Sequence, residues 1–466
     1  MNEKETYSII CKTDAGLGYE SGLVEHNTEL LTLPIRHQVY GEAVQRIGHH
    51  GFDAISFSGD IPIAYFKLLS EYDANLIRQL HKSIWNQNKI PSLYIVTPAE
   101  LRVYNCYAEP IAPDSTIEER LVKRVDLATE TLNHYHEFAK TQFDSGIFWQ
   151  SESGRKYHTD SRVDSFLLKQ LSNTRNRLHS EYKLPLKIVH DLLGRSIFIL
   201  YLEDRNVIQP TYYHDYFLSG TDSFLQILED KGATYQLFNA LSERFNGDVL
   251  PVSDKEYSLI MEDHLQIVRH FLSGGEVNTG QMALWRPYDF GIIPIELISA
   301  IYEEFMHQEQ GEEKTSETGT YYTSHPLVEF VMNEVLPWPS PENCDYQIKV
   351  LDPACGSGIF LVEAYRRLIA RWMIYHKTKD VSPSELVDIL TSYIFGIDTN
   401  CISISVTAFS LYLTLLDYLQ PETIWTDLTF PKLIHQASSP QDRLNLFSMS
   451  AFATDAAFEN IDYDLV

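Results

Sequence analysis

The chain has 466 residues, of which 44% are apolar, and carries a formal charge of −27. This length predicts two or three domains, and the apolar content excludes a largely disordered protein. The negative charge argues against a chain that neutralises phosphates over its whole surface. The sequence has no apolar run of membrane-spanning length and no signal-peptide pattern at its start, so a cytoplasmic protein without membrane contact is expected. The five cysteines form no C-x-x-C pair, and no metal site is predicted.

The first predicted domain, residues 1–112, is a small α/β domain. Four runs rich in alternating, β-branched or aromatic residues predict strands: "FDAISFS", "IPIAYFKLL", "PSLYIVTP" and "ELRVYNCY". The stretch "YDANLIRQLHKSIWNQNK" between the second and third runs predicts a helix.

The second predicted domain, residues 113–310, is helical. Apolar residues recur every three or four positions in "IEERLVKRVDLATETLNHYHEFAKTQF", "PLKIVHDLLGRSIFILYLEDRNVI" and "RPYDFGIIPIELISAIYEEFM". The polar, charge-rich stretch "HQEQGEEKTSETG" then predicts a linker to the third domain, residues 311–466.

The third domain contains a strand, an acidic residue, a glycine-rich turn and a helix in the stretch "YQIKVLDPACGSGIFLVEAYRRL". The strand is predicted to end at Asp352 and the helix to begin near Ile359, with Gly356 and Gly358 allowing a tight turn between them. Such a turn lets a ligand approach the main chain, and the helix N-terminus supplies free N–H groups. The alternative is a tight turn in a doubly wound sheet that binds nothing.

A second acidic residue follows in "SYIFGIDTNCISISVTAFSLYL". This stretch predicts a strand ending at Asp398 and a helix that carries Ile404, Ala408 and Leu411 on one face. A carboxylate at the end of the second strand can accept hydrogen bonds from ribose hydroxyls. Alternatively, Asp398 only caps the helix that follows.

The full string "DPACGSGIF" resembles the S-adenosylmethionine-binding motif of the amino-methylating DNA methyltransferases, in the form typical of adenine-N6 enzymes. Upstream, "TGTYYTSHPLVEFV" is similar to the loop that wraps the methionine end of S-adenosylmethionine in this family; Thr323 or Ser324 can also cap the helix that Pro326 starts. The spacing resembles that of the type IIG restriction-modification methylases, in which nuclease, methylase and target recognition share one polypeptide. The resemblance covers roughly residues 180–466.

The resemblance implies a Rossmann-like S-adenosylmethionine-dependent methyltransferase core, preceded by the helical domain and a nuclease-like domain. It also implies a set of cofactor-binding residues around the two motifs. These residues are Thr320, Tyr321, Tyr322, Thr323, Asp352, Pro353, Ala354, Cys355, Gly356, Ser357, Gly358, Phe360 and Asp398.

The catalytic loop of the resembled family is absent from this sequence. In that family an (Asn/Asp/Ser)-Pro-Pro-(Tyr/Phe/Trp) loop after the fourth strand holds a flipped adenine, but no two of the twenty prolines here are adjacent. No catalytic residue is therefore predicted.

The stretch "LNLFSMSAFATDAAF" resembles the third strand, yet Ser450 or Ala451 stands where an acidic residue is expected, with Asp455 further on. The final "FENIDYDLV" resembles the approach to the fourth strand.

The expected function is that of the S-adenosylmethionine-binding portion of a site-specific DNA adenine-N6 methyltransferase from a restriction-modification or phage-defence system. A second polypeptide or a missing C-terminal region is expected to supply the catalytic loop and the recognition of double-stranded DNA, so this chain alone is expected to be inactive. Without that component, the first strand of the methylase sheet is expected to have an open edge, on which no neighbouring strand pairs with it. The alternative is a non-catalytic S-adenosylmethionine-binding subunit or scaffold of a defence complex.

A second alternative is a metal-dependent nuclease at the N-terminus. The resembled enzymes have a D…(E/Q)-x-K motif whose carboxylates hold magnesium. Asp53 or Asp60 and Lys67 match this motif, but Tyr65 stands in place of the second carboxylate. A degenerate nuclease-like fold is therefore predicted, in which Trp85, Arg102 and Tyr104 are structural residues.

Overall fold

The computed structural model describes residues 2–25, 51–59, 61–127, 135–244, 252–275, 285–294, 297–298, 323, 325–378, 380–419, 430–434, 445–453 and 461–466. The chain divides into two compact units, the first of Met1–Leu167 with Leu284–Ile293 and the second of Leu168–Ala283 with Pro294–Val466. The boundaries predicted at residues 112 and 310 differ from this division and stay predictions.

The described strands are Leu23–Glu25 (β1), Ala54–Ser58 (β2), Ile61–Leu68 (β3), Ser92–Val96 (β4), Glu100–Asn105 (β5), Leu121–Asp126 (β6), Val350–Asp352 (β7), Ile394–Asp398 (β8) and Leu446–Ser448 (β9). The described α-helices are Glu3–Thr6 (α1), Ala74–Gln87 (α2), Lys140–Asp144 (α3), Val163–Asn176 (α4), Leu186–Asp204 (α5), Pro210–Tyr216 (α6), Phe224–Ile227 (α7), Lys231–Arg244 (α8), Asp254–Leu259 (α9), Glu262–Leu272 (α10), His325–Val335 (α11), Ile359–His376 (α12), Pro383–Tyr393 (α13) and Cys401–Asp417 (α14). Within these ranges no helix combines the length and apolar composition that a membrane span needs.

The first unit is built on a six-stranded sheet in the order β1-β2-β3-β4-β5-β6. Neighbouring strands are antiparallel except β3 and β4, which are parallel and are connected through α2. Asp73 caps the start of α2 by accepting hydrogen bonds from two main-chain N–H groups, and Asn88 ends the helix with a φ of 58°. The four strands and the helix predicted in this region are confirmed.

Residues 121–126 were predicted to be helical, and this prediction was wrong. They form β6, which pairs antiparallel with β5 after a 3-10 turn over Ile117–Arg120. A short apolar pattern such as "LVKRVD" fits both the helical and the strand period, so local sequence does not decide between them. The unpaired N–H and C=O groups at the edge of β5 decide the outcome, because pairing with β6 satisfies them.

The prediction of a helix in "RPYDFGIIPIELISAIYEEFM" was also wrong for the first part of this stretch. The segment 285–294 is irregular apart from a turn at 290–292, where Asp289 accepts a hydrogen bond from the Gly291 N–H at 3.0 Å. Pro287 lacks an N–H donor, and the side chain of Asp289 competes with the helical bonding pattern. Most of the remaining residues of this stretch lie outside the described part of the chain.

The helical part of the second unit contains α5, which confirms the helix predicted in "PLKIVHDLLGRSIFILYLEDRNVI". Most of its residues are buried, including Arg195, whose guanidinium lies 2.8 Å from the carboxylate of Glu256 in α9. The Tyr235 hydroxyl of α8 donates to the same carboxylate at 2.9 Å. This buried ion pair with its added hydrogen bond connects three helices.

The second unit also contains a parallel sheet in the order β7-β8-β9. Asp352 at the end of β7 pairs with Gly396 of β8, and Asp398 at the end of β8 pairs with Ser448 of β9. The helices α12 and α14 connect these strands and pack against them. The three strands and the helix starting at Ile359 confirm the predicted order of elements, and Ile404 is buried in α14 together with Ala408 and Leu411.

The expectation of an open edge on β7 was wrong. Leu465 forms a parallel bridge with Val350 on the side of β7 away from β8. The Leu351 N–H donates to Leu465 O at 2.9 Å, and the Leu465 N–H donates to Lys349 O at 3.1 Å. The predicted approach to a fourth strand therefore lies against β7, whose unsatisfied main-chain groups it pairs.

The carboxylate of Asp417, at the end of α14, links the helical part of the second unit to α12 and α14. It accepts hydrogen bonds from the Tyr201 hydroxyl at 3.2 Å and from the Arg205 guanidinium, both near the end of α5. Arg366 of α12 lies 3.4 Å from the other carboxylate oxygen. The side chain of Asp417 is 14% exposed, so solvent screens these ion pairs only partly.

We expect the substitution Asp417→Ala to lower the free energy of unfolding of the second unit by about 2–4 kcal/mol, since it removes the shared partner of two largely buried cations. Urea denaturation of the full chain measures this loss. Lys187→Ala is the control, because it removes an ion pair with Asp191 whose lysine is 81% exposed, and such pairs contribute about 0.5 kcal/mol or less. Equal, small effects of the two substitutions would contradict the prediction.

Candidate functional site

The glycine-rich turn between β7 and α12, residues 353–358, is held by hydrogen bonds that its main-chain N–H groups donate. The Ala354 N–H donates to the Asp352 carboxylate at 3.0 Å, and the Gly358 N–H donates to Cys355 O at 2.7 Å. The Cys355 N–H donates to Ile397 O of β8 at 3.0 Å. The turn is thus bonded both to the strand it leaves and to the neighbouring strand.

Both glycines of the turn have positive φ angles, 54° at Gly356 and 82° at Gly358. A β-carbon at Gly358 would also lie 2.7 Å from the Thr407 Cγ2 atom, closer than carbon atoms can approach. Glycine is therefore required at Gly358 by both its conformation and its surroundings. The motif's second glycine thus has a structural explanation independent of any ligand.

Asp398 lies beside this turn and contacts it directly. One oxygen of its carboxylate accepts a hydrogen bond from the Gly356 N–H at 3.0 Å. The other accepts from the Asn400 N–H at 2.7 Å, just before α14 begins at Cys401. The Asn400 N–H lies before the first residue of α14, so this bond forms a local turn and is not a helix cap, and the carboxylate joins the two predicted motifs. Asp398 is half-buried, so part of its surface faces solvent.

The electrostatics of the site are set by two neighbouring carboxylates. Burial raises the pKa of Asp352 above its ordinary value of 3.8; the hydrogen bond from Ala354 acts in the opposite direction, and the negative charge of Asp398 adds to the rise. The site is therefore negative and favours a cationic ligand group. Burial also raises the pKa of the Cys355 thiol, which makes it an unreactive packing residue.

The structure brings together the predicted residues from Asp352 to Gly358 with Asp398. Within this group the solvent-facing residues are Pro353 and Ala354, while Cys355, Ser357 and Gly358 are buried; Phe360 is half-buried in the first turn of α12. Thr323 is half-buried, and the predicted residues Thr320, Tyr321, Tyr322 and Ser324 lie outside the described residues.

Sequence reasoning missed two residues of α14 that contact the turn. The Thr407 hydroxyl donates to Gly356 O at 2.8 Å, and the Ser410 hydroxyl lies 3.2 Å from Ser357 O. A signal was present, because Ser403, Thr407, Ser410 and Thr414 recur at helical spacing in an otherwise apolar stretch and are all buried. Buried hydroxyls on one helix face indicate polar partners across that face.

The end of β9 contributes no described carboxylate to the site. Ser450 is exposed, Ala451 is half-buried, and Asp455 lies outside the described residues. The Met449 N–H donates to Asp398 O at 2.9 Å, so β9 supports the backbone of Asp398.

Comparisons with known proteins show what this part of the chain is similar to. Residues 294–436, which include the glycine-rich turn and Asp398, match the family model described as N-6 DNA Methylase. The match covers less than a third of the chain, and over that segment the chain is similar to the N-6 DNA methylase family. The chain is also similar to the type II restriction enzyme and methyltransferase RM.Eco57I of Escherichia coli, with 25% identity over 308 residues that cover 57% of this chain and 28% of the relative. The resemblance to adenine-N6 restriction-modification methylases is confirmed.

Two solved structures align with this chain at low similarity. A modification subunit of a putative type I restriction enzyme from Vibrio vulnificus aligns with 16% identity and a TM-score of 0.28, over 55% of this chain and 54% of that one. The type IIG restriction endonuclease BpuSI aligns with 12% identity and a TM-score of 0.26, over 92% of this chain and 43% of that one. These TM-scores are too low to support an argument about the fold. The chain spans 28% of the length of its Escherichia coli relative and about half or less of these two structures.

In the first unit, the structure places Asp53 beside Lys67, with 3.4 Å between the carboxylate and the ammonium. Asp60 lies outside the described residues. Tyr65 is buried, donates its hydroxyl hydrogen to the Gln87 side chain at 3.0 Å and stacks on Phe52. Among the described residues, no group of three or more His, Cys, Asp or Glu side chains is arranged to hold a metal ion.

The residues predicted to be structural in this unit make packing and ion-pair contacts. Trp85 is buried and donates its ring N–H to Ser161 O at 2.9 Å. Arg102 is buried between Glu100 and Glu118 and lies over the ring of Tyr72. Tyr104 is fully buried in β5.

We expect Asp352→Asn to change how stability depends on pH in the ligand-free chain. The folded state holds the Asp352 proton to a higher pH than the unfolded chain, so the free energy of unfolding falls as the pH rises from 3.8 through the raised pKa. Asparagine keeps the acceptor for the Ala354 N–H but does not titrate, so the variant lacks this fall and is more stable than the wild type at neutral pH.

Denaturation at a series of pH values measures this difference. Asp345→Asn is the matched control, because Asp345 also accepts a hydrogen bond from the N–H two residues ahead, at 3.0 Å, but is exposed. Parallel curves for the wild type and Asp352→Asn would contradict the assignment of the raised pKa.

We expect Lys67 to support no magnesium-dependent DNA cleavage. Tyr65 stands in place of a metal-binding carboxylate, and its buried side chain hydrogen-bonds within the core. The assay compares the full wild-type chain with Lys67→Ala. Lys12→Ala, which removes another lysine–carboxylate pair of the first unit, controls for general effects of losing a lysine. Magnesium-dependent cleavage that disappears in Lys67→Ala and persists in Lys12→Ala would contradict this expectation.

Proposed function

We propose that this chain is the S-adenosylmethionine-binding portion of a site-specific DNA adenine-N6 methyltransferase in a restriction-modification or phage-defence system. The observation that carries the proposal is the contact between Asp398 and the glycine-rich turn, inside the segment that matches the N-6 DNA methylase family. Two motifs 40 residues or more apart in sequence are there brought to one edge of a parallel sheet, the usual position of nucleotide-like ligands in such sheets.

The residues present fit this cofactor. The turn has no side chain at the half-buried Gly356, which lets an adenosyl or methionyl group approach the main chain there. The two half-buried carboxylates favour a ligand that carries positive charge, and S-adenosylmethionine has both an ammonium and a sulfonium group. A Rossmann-like methyltransferase core agrees with the parallel β7-β8-β9 order.

Each group of residues has a distinct role in the proposal. The main chain of residues 353–358 and the side chain of Phe360 form the surface on which the cofactor lies, together with Thr320, Tyr321, Tyr322 and Thr323. Asp352 balances the charge of the methionine end. Asp398 accepts hydrogen bonds from the ribose hydroxyls with the part of its carboxylate that faces solvent, since each oxygen has a second acceptor position. When bound, the cofactor supplies an electrophilic methyl group.

Methyl transfer needs a group that holds the exocyclic amine of a flipped adenine. The family's Pro-Pro loop is absent from these 466 residues, so we propose that it comes from a second polypeptide or from a C-terminal region beyond this sequence. The same component supplies recognition of double-stranded DNA, which agrees with the charge of −27 on this chain. Catalysis then depends on positioning and on the electrostatic surroundings of the amine.

We expect S-adenosylmethionine to bind the full chain and Asp398→Ala to weaken this binding by about 1.5–3 kcal/mol, because charge-assisted hydrogen bonds to the ribose are lost. Isothermal titration calorimetry measures the change. Asp345→Ala is the control, since it removes a carboxylate of the same domain with a similar main-chain bond and should leave the affinity unaltered. An unaltered affinity in Asp398→Ala would refute the ribose assignment.

A methyl-transfer assay on adenine-containing duplex DNA tests the reaction. The chain alone should give no transfer, and the chain with a polypeptide that carries an Asn-Pro-Pro-Tyr-type loop should methylate adenine N6. Binding of the cofactor without transfer in every such combination would support the alternative, a non-catalytic subunit of a defence complex. Absence of binding would refute both.

A further inference from the structure

Thr407 of α14 makes an unusual contact for a buried hydroxyl on a helix. The hydroxyls of Ser410 and Thr414, on the same face, lie 2.8 Å from the carbonyl oxygens four residues earlier in their own helix. Thr407 instead donates across to Gly356 O at 2.8 Å, and its side chain is fully buried. Its hydroxyl therefore serves the glycine-rich turn rather than the helix.

Both main-chain polar groups of Gly356 form hydrogen bonds with side chains from β8 and α14. Its N–H donates to Asp398, and its C=O accepts from Thr407. Glycine at a φ of 54° has no side chain to restrict it and moves readily between positive and negative φ. Two hydrogen bonds from outside the turn therefore determine its conformation.

Thr407 contacts two further residues of the turn. The Cys355 sulfur lies 3.7 Å from the Thr407 hydroxyl oxygen, which is free to accept because its hydrogen is directed to Gly356 O. The Thr407 side chain also fills the space beside Gly358 where a β-carbon would lie. One buried side chain thus packs against Cys355 and Gly358 and hydrogen-bonds Gly356.

We propose that Thr407 is a positioning residue for the cofactor site: its hydroxyl fixes the Gly356 peptide in the orientation that binds S-adenosylmethionine, without touching the ligand. This inference rests on the proposed cofactor. A site that is already ordered binds more tightly, because no conformational freedom is lost on binding. Because Asp398 and Thr407 hold the two peptide groups on either side of the same residue, Gly356, their effects on affinity should not be additive.

Four forms of the full chain test this inference: wild type, Thr407→Val, Thr407→Ser and Thr414→Val. Valine preserves the shape of threonine and removes the hydroxyl, whereas serine keeps the hydroxyl and removes the methyl group. Thr414→Val is the matched control, because Thr414 is an equally buried threonine of the same helix whose hydroxyl, within the described part of the chain, bonds to its own helix.

We expect Thr407→Val to raise the dissociation constant for S-adenosylmethionine about 3- to 10-fold, the effect of one lost hydrogen bond. Thr407→Ser should bind within about twofold of the wild type, although loss of the methyl group lowers its melting temperature. Thr414→Val should keep the wild-type affinity. Rescue of affinity by the less stable serine variant distinguishes positioning from general stability. Equal affinities of Thr407→Val and Thr414→Val, or an equal loss in both Thr407 variants, would overturn the inference.

Hydrogen exchange of residues 353–358 in the ligand-free chain separates this inference from the proposed function. Thr407→Val should exchange faster in this segment than the wild type, Thr407→Ser and Thr414→Val. Faster exchange without any cofactor binding by the wild type would refute the proposed function and support the role of Thr407 in ordering the turn. Unaltered exchange in Thr407→Val would overturn the inference even if the cofactor binds.

Discussion

The parallel pairing of β7 with β8 is the constraint on which the site depends. It brings Asp352 and Asp398, the last residues of the two strands, to the same edge of the sheet. Leu465 lies on the other side of β7, so the chain leaves β7 toward β8 and later returns on the opposite side. The carboxyl end of such a strand is the switch point at which open parallel sheets bind ligands.

This pairing has an electrostatic cost that a ligand can offset. Two carboxylates at one edge repel each other, and burial adds to the cost of ionising Asp352. A fold selected only for stability would have an uncharged residue in place of Asp352. Residues that destabilise the ligand-free state concentrate at functional sites, so this carboxylate indicates a ligand. The same carboxylate of Asp398 nevertheless orders the glycine-rich turn, so part of its effect is structural.

The sequence was sufficient to predict features that depend on local residue pattern. It was not sufficient where a partner distant in the sequence determines the conformation or the contact. The strand ending at Asp352, the turn glycines and the helix starting at Ile359 follow from residue order and were predicted correctly. The strand at 121–126 was missed, because its period is ambiguous and the edge of β5 selects its conformation. The helical spacing of Thr407 with other hydroxyl residues was visible in the sequence, but its partner Gly356 lies 51 residues away and could not be inferred from local pattern.

The helix α14 connects the glycine-rich turn to the helical part of the second unit. Thr407 holds the glycine-rich turn, and Asp417, about 15 Å further along the helix, binds Tyr201 of α5 and Arg205 directly after it. Phe198 of α5 also packs against Phe409 of α14. A displacement of α5 would therefore shift the helix that orders Gly356. The contacts of α14 make the helical segment part of the structure that supports the site, although the sequence predicts it as a separate domain.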